Sequence, residues 1–213
     1  MADPDAEQIP AIILAGGLAR RMGGGDKGRL ALAGTPLIER VIGRLAPQAG
    51  PLALNANGVP ARFADLGLPV IADSISGHPG PLAGVLAGLD WAAGLGAERI
   101  VTVAADTPFF PQDLVDRLRA GAETADAPIA LAATPHTTRG RVRHPTFGLW
   151  SVHLRDDLRA ALADGIRKVV IWTDSHGATD VLFDTPDGAD PFFNVNTPED
   201  LSAAEARARG ALA

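Results

Sequence analysis

The order of apolar segments predicts an α/β protein, folded as a three-layer α/β/α sandwich around a mostly parallel sheet. Two observations carry this. Short apolar runs suited to fully buried strands alternate along the chain with stretches of helical spacing. Strands separated by helices form parallel sheets covered on both faces. With 213 residues, one domain spanning 1–213 fits better than two. Residues 1–8 are expected to form a disordered tail.

The elements follow in order. Residues 11–15 (AIILA) form a continuous apolar run, as a buried parallel strand would. A helical pattern starts at Pro36 and continues through Leu37, Ile38, Val41, Ile42 and Leu45, with Thr35 placed to cap it. Residues 51–55 (PLALN) and 69–72 (PVIA) read as the second and third strands. Residues 80–94 read as a helix despite their glycines, and 99–104 (RIVTVA) as a strand. A helix over 111–121, strands at 128–133 and 146–150, and a helix over 154–163 continue the pattern. The run 169–173 (VVIWT) fits a strand or a buried helical turn. A short strand at 181–183 and a helix over 198–209 complete the chain. Residues 134–143 (TPHTTRGRVR) form the most irregular stretch and are expected to be a mobile loop.

Composition excludes several classes of function. There is no cysteine, hence no disulfide framework, thiolate metal site or cysteine nucleophile. No run of 18 apolar residues occurs, and the acidic N-terminus lacks the pattern of a secretory signal, so a cytoplasmic protein without membrane contact is expected. A net charge of −6 argues against a nucleic-acid partner, which needs a basic field. An anionic ligand must then be held by a local cluster of donors.

Ligands of such sheets bind beyond the carboxyl ends of the strands, so the residues after each strand carry most of the functional signal. After the first strand stands GGLARRMGGGDK, residues 16–27. Glycines let backbone N–H groups converge on phosphate oxygens, and Arg20, Arg21 and Lys27 add cations. Of the 19 basic residues only Lys27 and Lys168 are lysine. The loop is no P-loop, because Gly28 follows Lys27 where Ser or Thr would hold magnesium. A formal GxGxxG at residues 23–28 starts eight residues past the strand and contains charges. The acid expected after the second strand is also missing, since Asn55-Ala56-Asn57 stands there. A purely structural turn does not account for three cations.

The residues LAGG (14–17), RRMGG (20–24) and Asp26-Lys27 resemble the signature loop of molybdenum cofactor guanylyltransferases. The resemblance continues through Asn55-Ala56-Asn57, Asp73-Ser74, PGPLAG (79–84), Asp106-Thr107-Pro108, His144-Pro145-Thr146 and NVNTPED (194–200), covering nearly the whole chain. It implies a Rossmann-like nucleotidyltransferase domain that joins GMP from GTP to the phosphate of molybdenum-molybdopterin, with Mg2+ as cofactor and pyrophosphate as the leaving group. It implies GTP contacts at Leu14, Ala15, Gly16, Lys27, Asn55, Asp73 and Asp106, with Lys27 and Arg21 stabilising the triphosphate. Asn194 and Asn196 would help hold the pterin. Transient contact with molybdenum insertion proteins or molybdoenzyme chaperones is compatible with this reading.

The residues alone leave alternatives open. Asp106 follows a strand and precedes Thr107-Pro108, so it suits a magnesium ligand and a turn cap equally well; the resemblance favours the metal. Asn55 and Asp73 are each ordinary loop residues by type. Thr197, Pro198 and Asp200 read as a helix start. Arg139, Arg141, Arg143 and His144 form a basic cluster that either receives an anionic phosphate or is simply solvated. Trp91, Trp150 and Trp172 are read as core or interface residues. Two other functions stay in play: a cytidylyltransferase or other nucleotidyltransferase acting on a related small phosphate, and a non-catalytic carrier of the finished cofactor.

Overall fold

The computed structural model describes residues 8–16, 26–75, 80–185 and 188–210. Its centre is a seven-stranded sheet. The strands are β1 (Ala11–Leu14), β4 (Leu52–Asn55), β5 (Val70–Ile71), β6 (Arg99–Ala104), β7 (Ile129–His136), β8 (Gly140–Ser151) and β9 (Thr179–Leu182), in the spatial order β5-β4-β1-β6-β8-β7-β9. All neighbours pair in parallel except β8, which runs antiparallel to both β6 and β7. A two-stranded hairpin of β2 (Ala31–Leu32) and β3 (Thr35–Pro36) stands apart.

The side-chain period of two explains why both faces are covered. Ala11 and Ile13 of β1 and Val101 and Val103 of β6 point to one layer, where α1 (Leu37–Leu45) and α3 (Leu114–Thr124) bury Ile38, Val41, Leu114 and Leu118. Ile12 and Ile100 point to the other. There α2 (Pro81–Gly94), α4 (Arg155–Ala163) and α5 (Val169–Ser175) contribute Leu86, Leu158 and Trp172. Each fully buried side chain of this size stabilises the fold by about 1.5–3 kcal/mol. Trp150 is fully enclosed, and its indole N–H donates to Thr102 Oγ1 at 2.9 Å. Trp172 is also enclosed, and Trp91 is partly buried against the same layer.

Helix α2 lies unusually close to the sheet. A Cβ on Gly84 would collide with the Asn55 side-chain oxygen, and one on Gly88 would stand 2.7 Å from Ile12 Cγ2. The helix opens at Gly80 with φ +138°, a conformation closed to side-chain-bearing residues, followed by Pro81 in its first turn. The last helix, α6 (Pro198–Gly210), packs Ala204 and Ala208 onto Leu32, Leu37 and Val195.

Several expectations need correction. Thr35 does not cap α1: it pairs with Leu32 in the β2–β3 hairpin, and the helix begins one residue after Pro36, at Leu37. Helix α3 starts three residues later than expected, at Leu114, after the turn at Pro111. The VVIWT run is helical. Residues 134–143 are not an irregular loop. They extend β7 and β8 into a hairpin with Thr134 opposite Val142 and His136 opposite Gly140, because the basic side chains find carboxylate partners on β9 and α5. Of the expected tail, residues 1–7 lie outside the described residues.

Candidate active site

One row of the sheet register reads Ala104, Leu14, Asn55 and Ile71 across β6, β1, β4 and β5. Two residues past that row stand Asp106, Gly16, Asn57 and Asp73, and all four line one cleft of about 390 Å3. Leu14, Asn55, Gly80, Pro81, Ala104, Thr146 and Asn194 complete the described walls. The cleft therefore lies beyond the carboxyl ends of the parallel strands, where ligands of this architecture bind.

At the β6 end Lys27 Nζ stands 2.5 Å from Asp106 Oδ2 and also donates to Asn196 Oδ1. Three segments far apart in sequence meet here. Lys27 sits in a single 3-10 turn (Lys27–Arg29), whose Gly28 packs against Ile38 of α1. The turn is held from outside by Arg29, which forks onto both oxygens of Asp65 at 2.6 and 2.5 Å, and by the Arg62–Asp26 ion pair at 3.3 Å. Asp106 is fixed on its other oxygen by the Thr107 hydroxyl at 3.0 Å, which also lies 3.1 Å from Asn194 Oδ1. Asn196 is positioned by the start of α6. Asp200 Oδ2 accepts from the backbone N–H of Asn196 and Thr197, and Thr197 Oγ1 accepts from that of Asp200. This reciprocal cap is the one the sequence predicts. Val195 N–H donates to the Asp106 carbonyl, which ties the segment before the cap to the residue that bears the carboxylate.

At the β5 end Asn55 Nδ2 donates to Asp73 Oδ1 at 2.9 Å, and Asn57 Nδ2 to Asp73 Oδ2 at 2.7 Å. The Asp73 backbone N–H returns a bond to Asn57 Oδ1 at 2.9 Å. Asn55 is buried under Gly84 and also donates to the Ile71 carbonyl.

The structure thus gathers Leu14, Gly16, Asn55, Asp73, Asp106 and Asn194 at one cleft, with Lys27 and Asn196 bonded into its β6 end. Ala15 lines a small adjoining cavity with Lys27 and Asp106. Arg20, Arg21 and residues 17–25 lie outside the described residues. Asn57 and Thr146 line the cleft although sequence reasoning assigned them no role. The spacing of Asn55 and Asn57, two residues apart at a strand end, was the available signal for Asn57, since such residues share a face.

Two arginines of the basic cluster are engaged by carboxylates. Arg143 pairs with Asp180 at 2.6 Å and with Asp174, and Arg141 also pairs with Asp180, which is only 5% exposed. His144 stacks on Phe192, with ring centroids 4.4 Å apart, and lies 2.9 Å from Thr134 Oγ1. Burial pushes its pKa below the ordinary imidazole value, opposed by the Asp190 carboxylate 3.9 Å away. Arg139 at the hairpin turn is exposed.

No described cluster of three or more His, Asp or Glu side chains could cage a metal ion. Magnesium needs no such cage, since it takes one or two carboxylates, substrate phosphate oxygens and waters. A single carboxylate at the cleft floor, with both oxygens oriented by neighbours, fits that requirement.

Fold and cleft together define a Rossmann-like nucleotidyltransferase type of α/β domain. Residues 11–178 match the MobA-like NTP transferase domain, and the chain belongs to that family. It is 51% identical over 208 residues to a molybdenum cofactor guanylyltransferase of Bradyrhizobium sp. (strain ORS 278), covering 96% of this chain and 95% of the relative. It is 54% identical over 208 residues to the protein of the same name from Rhodopseudomonas palustris (strain BisB5), with the same coverage. Among solved structures it is similar to molybdopterin-guanine dinucleotide biosynthesis protein A of Archaeoglobus fulgidus. That likeness has a TM-score of 0.72 at 23% identity, over 95% of this chain and 100% of that one.

Proposed function

We propose that this protein is a molybdenum cofactor guanylyltransferase, transferring GMP from GTP to the terminal phosphate of molybdenum-molybdopterin and releasing pyrophosphate. The observation that carries this reading is the cleft's polarity. A lysine–carboxylate pair stands at one end and an amide-held carboxylate at the other, in a chain about half identical to named guanylyltransferases over nearly its full length.

The acceptor phosphate attacks the α-phosphorus of GTP; one P–O bond forms there as the bond to the β,γ-diphosphate breaks. A phosphate monoester has its second pKa at about 6, so it is already a competent nucleophile near neutral pH. The reaction needs no protein nucleophile, and catalysis rests on positioning and charge stabilisation. Lys27 and Arg21 donate to the triphosphate, with Lys27 turning from Asp106 and Asn196 toward the phosphates. Asp106, once free of that pair, would hold Mg2+. When bound, the metal ion supplies charge neutralisation for the departing pyrophosphate. Leu14, Ala15 and Gly16 offer backbone groups to the nucleoside, and Asn55 and Asp73 orient it. Asn194 and Asn196 face the acceptor side and help hold the pterin.

The domain acts as one unit over residues 1–213, in the cytoplasm, with transient contacts to molybdenum insertion proteins or molybdoenzyme chaperones. The described residues include no helix long and apolar enough to cross a membrane. The test is product analysis by mass spectrometry after incubation with Mg2+, molybdenum-molybdopterin and GTP. A guanine dinucleotide with one equivalent of pyrophosphate is expected. Tight cofactor binding without pyrophosphate would instead indicate a carrier.

A further inference from the structure

Asn57 stands in the cleft wall, is exposed, and is bound to Asp73 in both directions. These two bonds fix which way its amide faces. Its oxygen accepts from the Asp73 backbone N–H, so its NH2 group must face the carboxylate. Asn55 does the same from the other side, giving Asp73 one amide donor on each oxygen. A carboxylate carries about four acceptor positions. Among the described residues two are used, one on each oxygen, and one on each is left for a ligand. The result is a planar two-acceptor edge whose rotation is blocked.

Such an edge selects its ligand by donor pattern. Guanine presents two adjacent N–H donors, the ring N1–H and the exocyclic 2-amino group. Adenine and cytosine present one donor beside a bare ring nitrogen, which would set lone pair against lone pair, and uracil presents a single N–H between two carbonyls. The ribose diol also offers two donors, but the sheet places it wrongly. Asp106 and Asp73 follow β6 and β5, three strand steps apart, roughly 14 Å at about 4.8 Å per step. With the phosphates at Asp106, that span reaches past the sugar to the base.

We propose that Asn57 is a specificity-determining positioning residue, which locks the Asp73 carboxylate as a bidentate acceptor for the N1–H and 2-amino group of guanine. This rests on the guanylyl-transfer reading above. Asn57 is exposed, and substitutions at exposed positions usually change stability by about 0.5 kcal/mol or less, so its removal should leave the fold intact.

The test compares GTP with ITP, which lacks only the 2-amino group, and with 2′-deoxy-GTP, in wild-type, Asn57→Ala and Asn57→Asp proteins. Wild-type should favour GTP over ITP by about tenfold or more in kcat/KM, the worth of a hydrogen bond to a charged group. In Asn57→Ala that ratio should fall at least about fivefold, chiefly through KM, with the melting temperature unchanged. Asn57→Asp, which sets a second carboxylate beside Asp73, should lose at least as much discrimination. An unchanged GTP/ITP ratio in the folded variants overturns the proposal. So does an equal loss for all three nucleotides, and so does a loss confined to the GTP/2′-deoxy-GTP ratio, which would place the sugar at Asp73. The same ratios read as Kd by titration calorimetry keep this test independent of turnover. Absent pyrophosphate release by wild-type would strike the transfer reading, whereas an unchanged Kd ratio would strike Asn57.

Discussion

The two ends of the cleft are built on opposite plans. At the β6 end Lys27, Asp106 and Asn196 satisfy one another, and the positive and negative charges already cancel. At the β5 end Asn55 and Asn57 hold Asp73 without cancelling it, since its partners among the described side chains are neutral amides. A group that must change partners during a reaction is kept in a pair that a stronger anion can displace. A group that must recognise is held rigid with its charge intact. The difference separates charge handling from selection within one cleft, although both ends hang from the same register row.

The largest effect should come from breaking the ionic end. Lys27→Ala is expected to lower kcat by about 10²–10³, the usual cost of removing one donor that stabilises developing charge. Circular dichroism and melting should show a folded protein; an active folded variant would show that the pair is structural. Next comes Gly84→Ala, aimed at the rigid end. The added methyl would strike the Asn55 side-chain oxygen. Overpacking should cost about 1–3 kcal/mol in urea unfolding, and displaced Asn55 should raise KM for GTP more than it lowers kcat. An unchanged KM would mean that Asn55 does not serve the nucleoside.

Arg143→Ala sharpens the comparison from outside the cleft. The buried Asp180 would lose one of its two arginine partners, at a cost of about 1–3 kcal/mol in urea unfolding. Turnover should stay within about twofold; a large loss of activity at full stability would restore the hairpin as a substrate contact. The smallest effect concerns pH. Burial lowers the His144 pKa, so its neutral form stabilises the fold fully above the ordinary imidazole value. That contribution is lost as the pH falls through the lowered folded-state value. Urea midpoints measured from about pH 8 to about pH 5 should decline more steeply in wild-type than in His144→Asn; equal slopes would refute the assignment.

Most of the sheet was legible because β1 is buried on both faces and reads as an unbroken apolar run, and β4 and β6 are mostly apolar and buried, with Asn55 and Thr102 as buried polar exceptions. The capping box of α6 was legible because its logic is local. The β7–β8 hairpin was not, because arginines at strand positions look like a solvated loop until Asp174 and Asp180 are brought beside them. Thr35 misled because a good cap residue was taken up by a two-residue ladder. In the site, Lys27 stood out by its type and its glycine-rich setting, and the resemblance singled out Asp106 and Asp73. The bonds of Lys27 to Asp106 and Asn196 span 79 and 169 residues of chain, and no spacing rule reaches that far. Asn57 carries its meaning only through Asp73, sixteen residues on.

The most direct test of this division is pyrophosphate release with Mg2+, molybdenum-molybdopterin and GTP, CTP or ATP in turn, for wild-type and Lys27→Ala protein. Release is expected with GTP alone, and in the folded variant a collapsed rate with GTP still bound in preference to CTP. Equal release from CTP and GTP, or an undiminished rate without Lys27, would contradict this division.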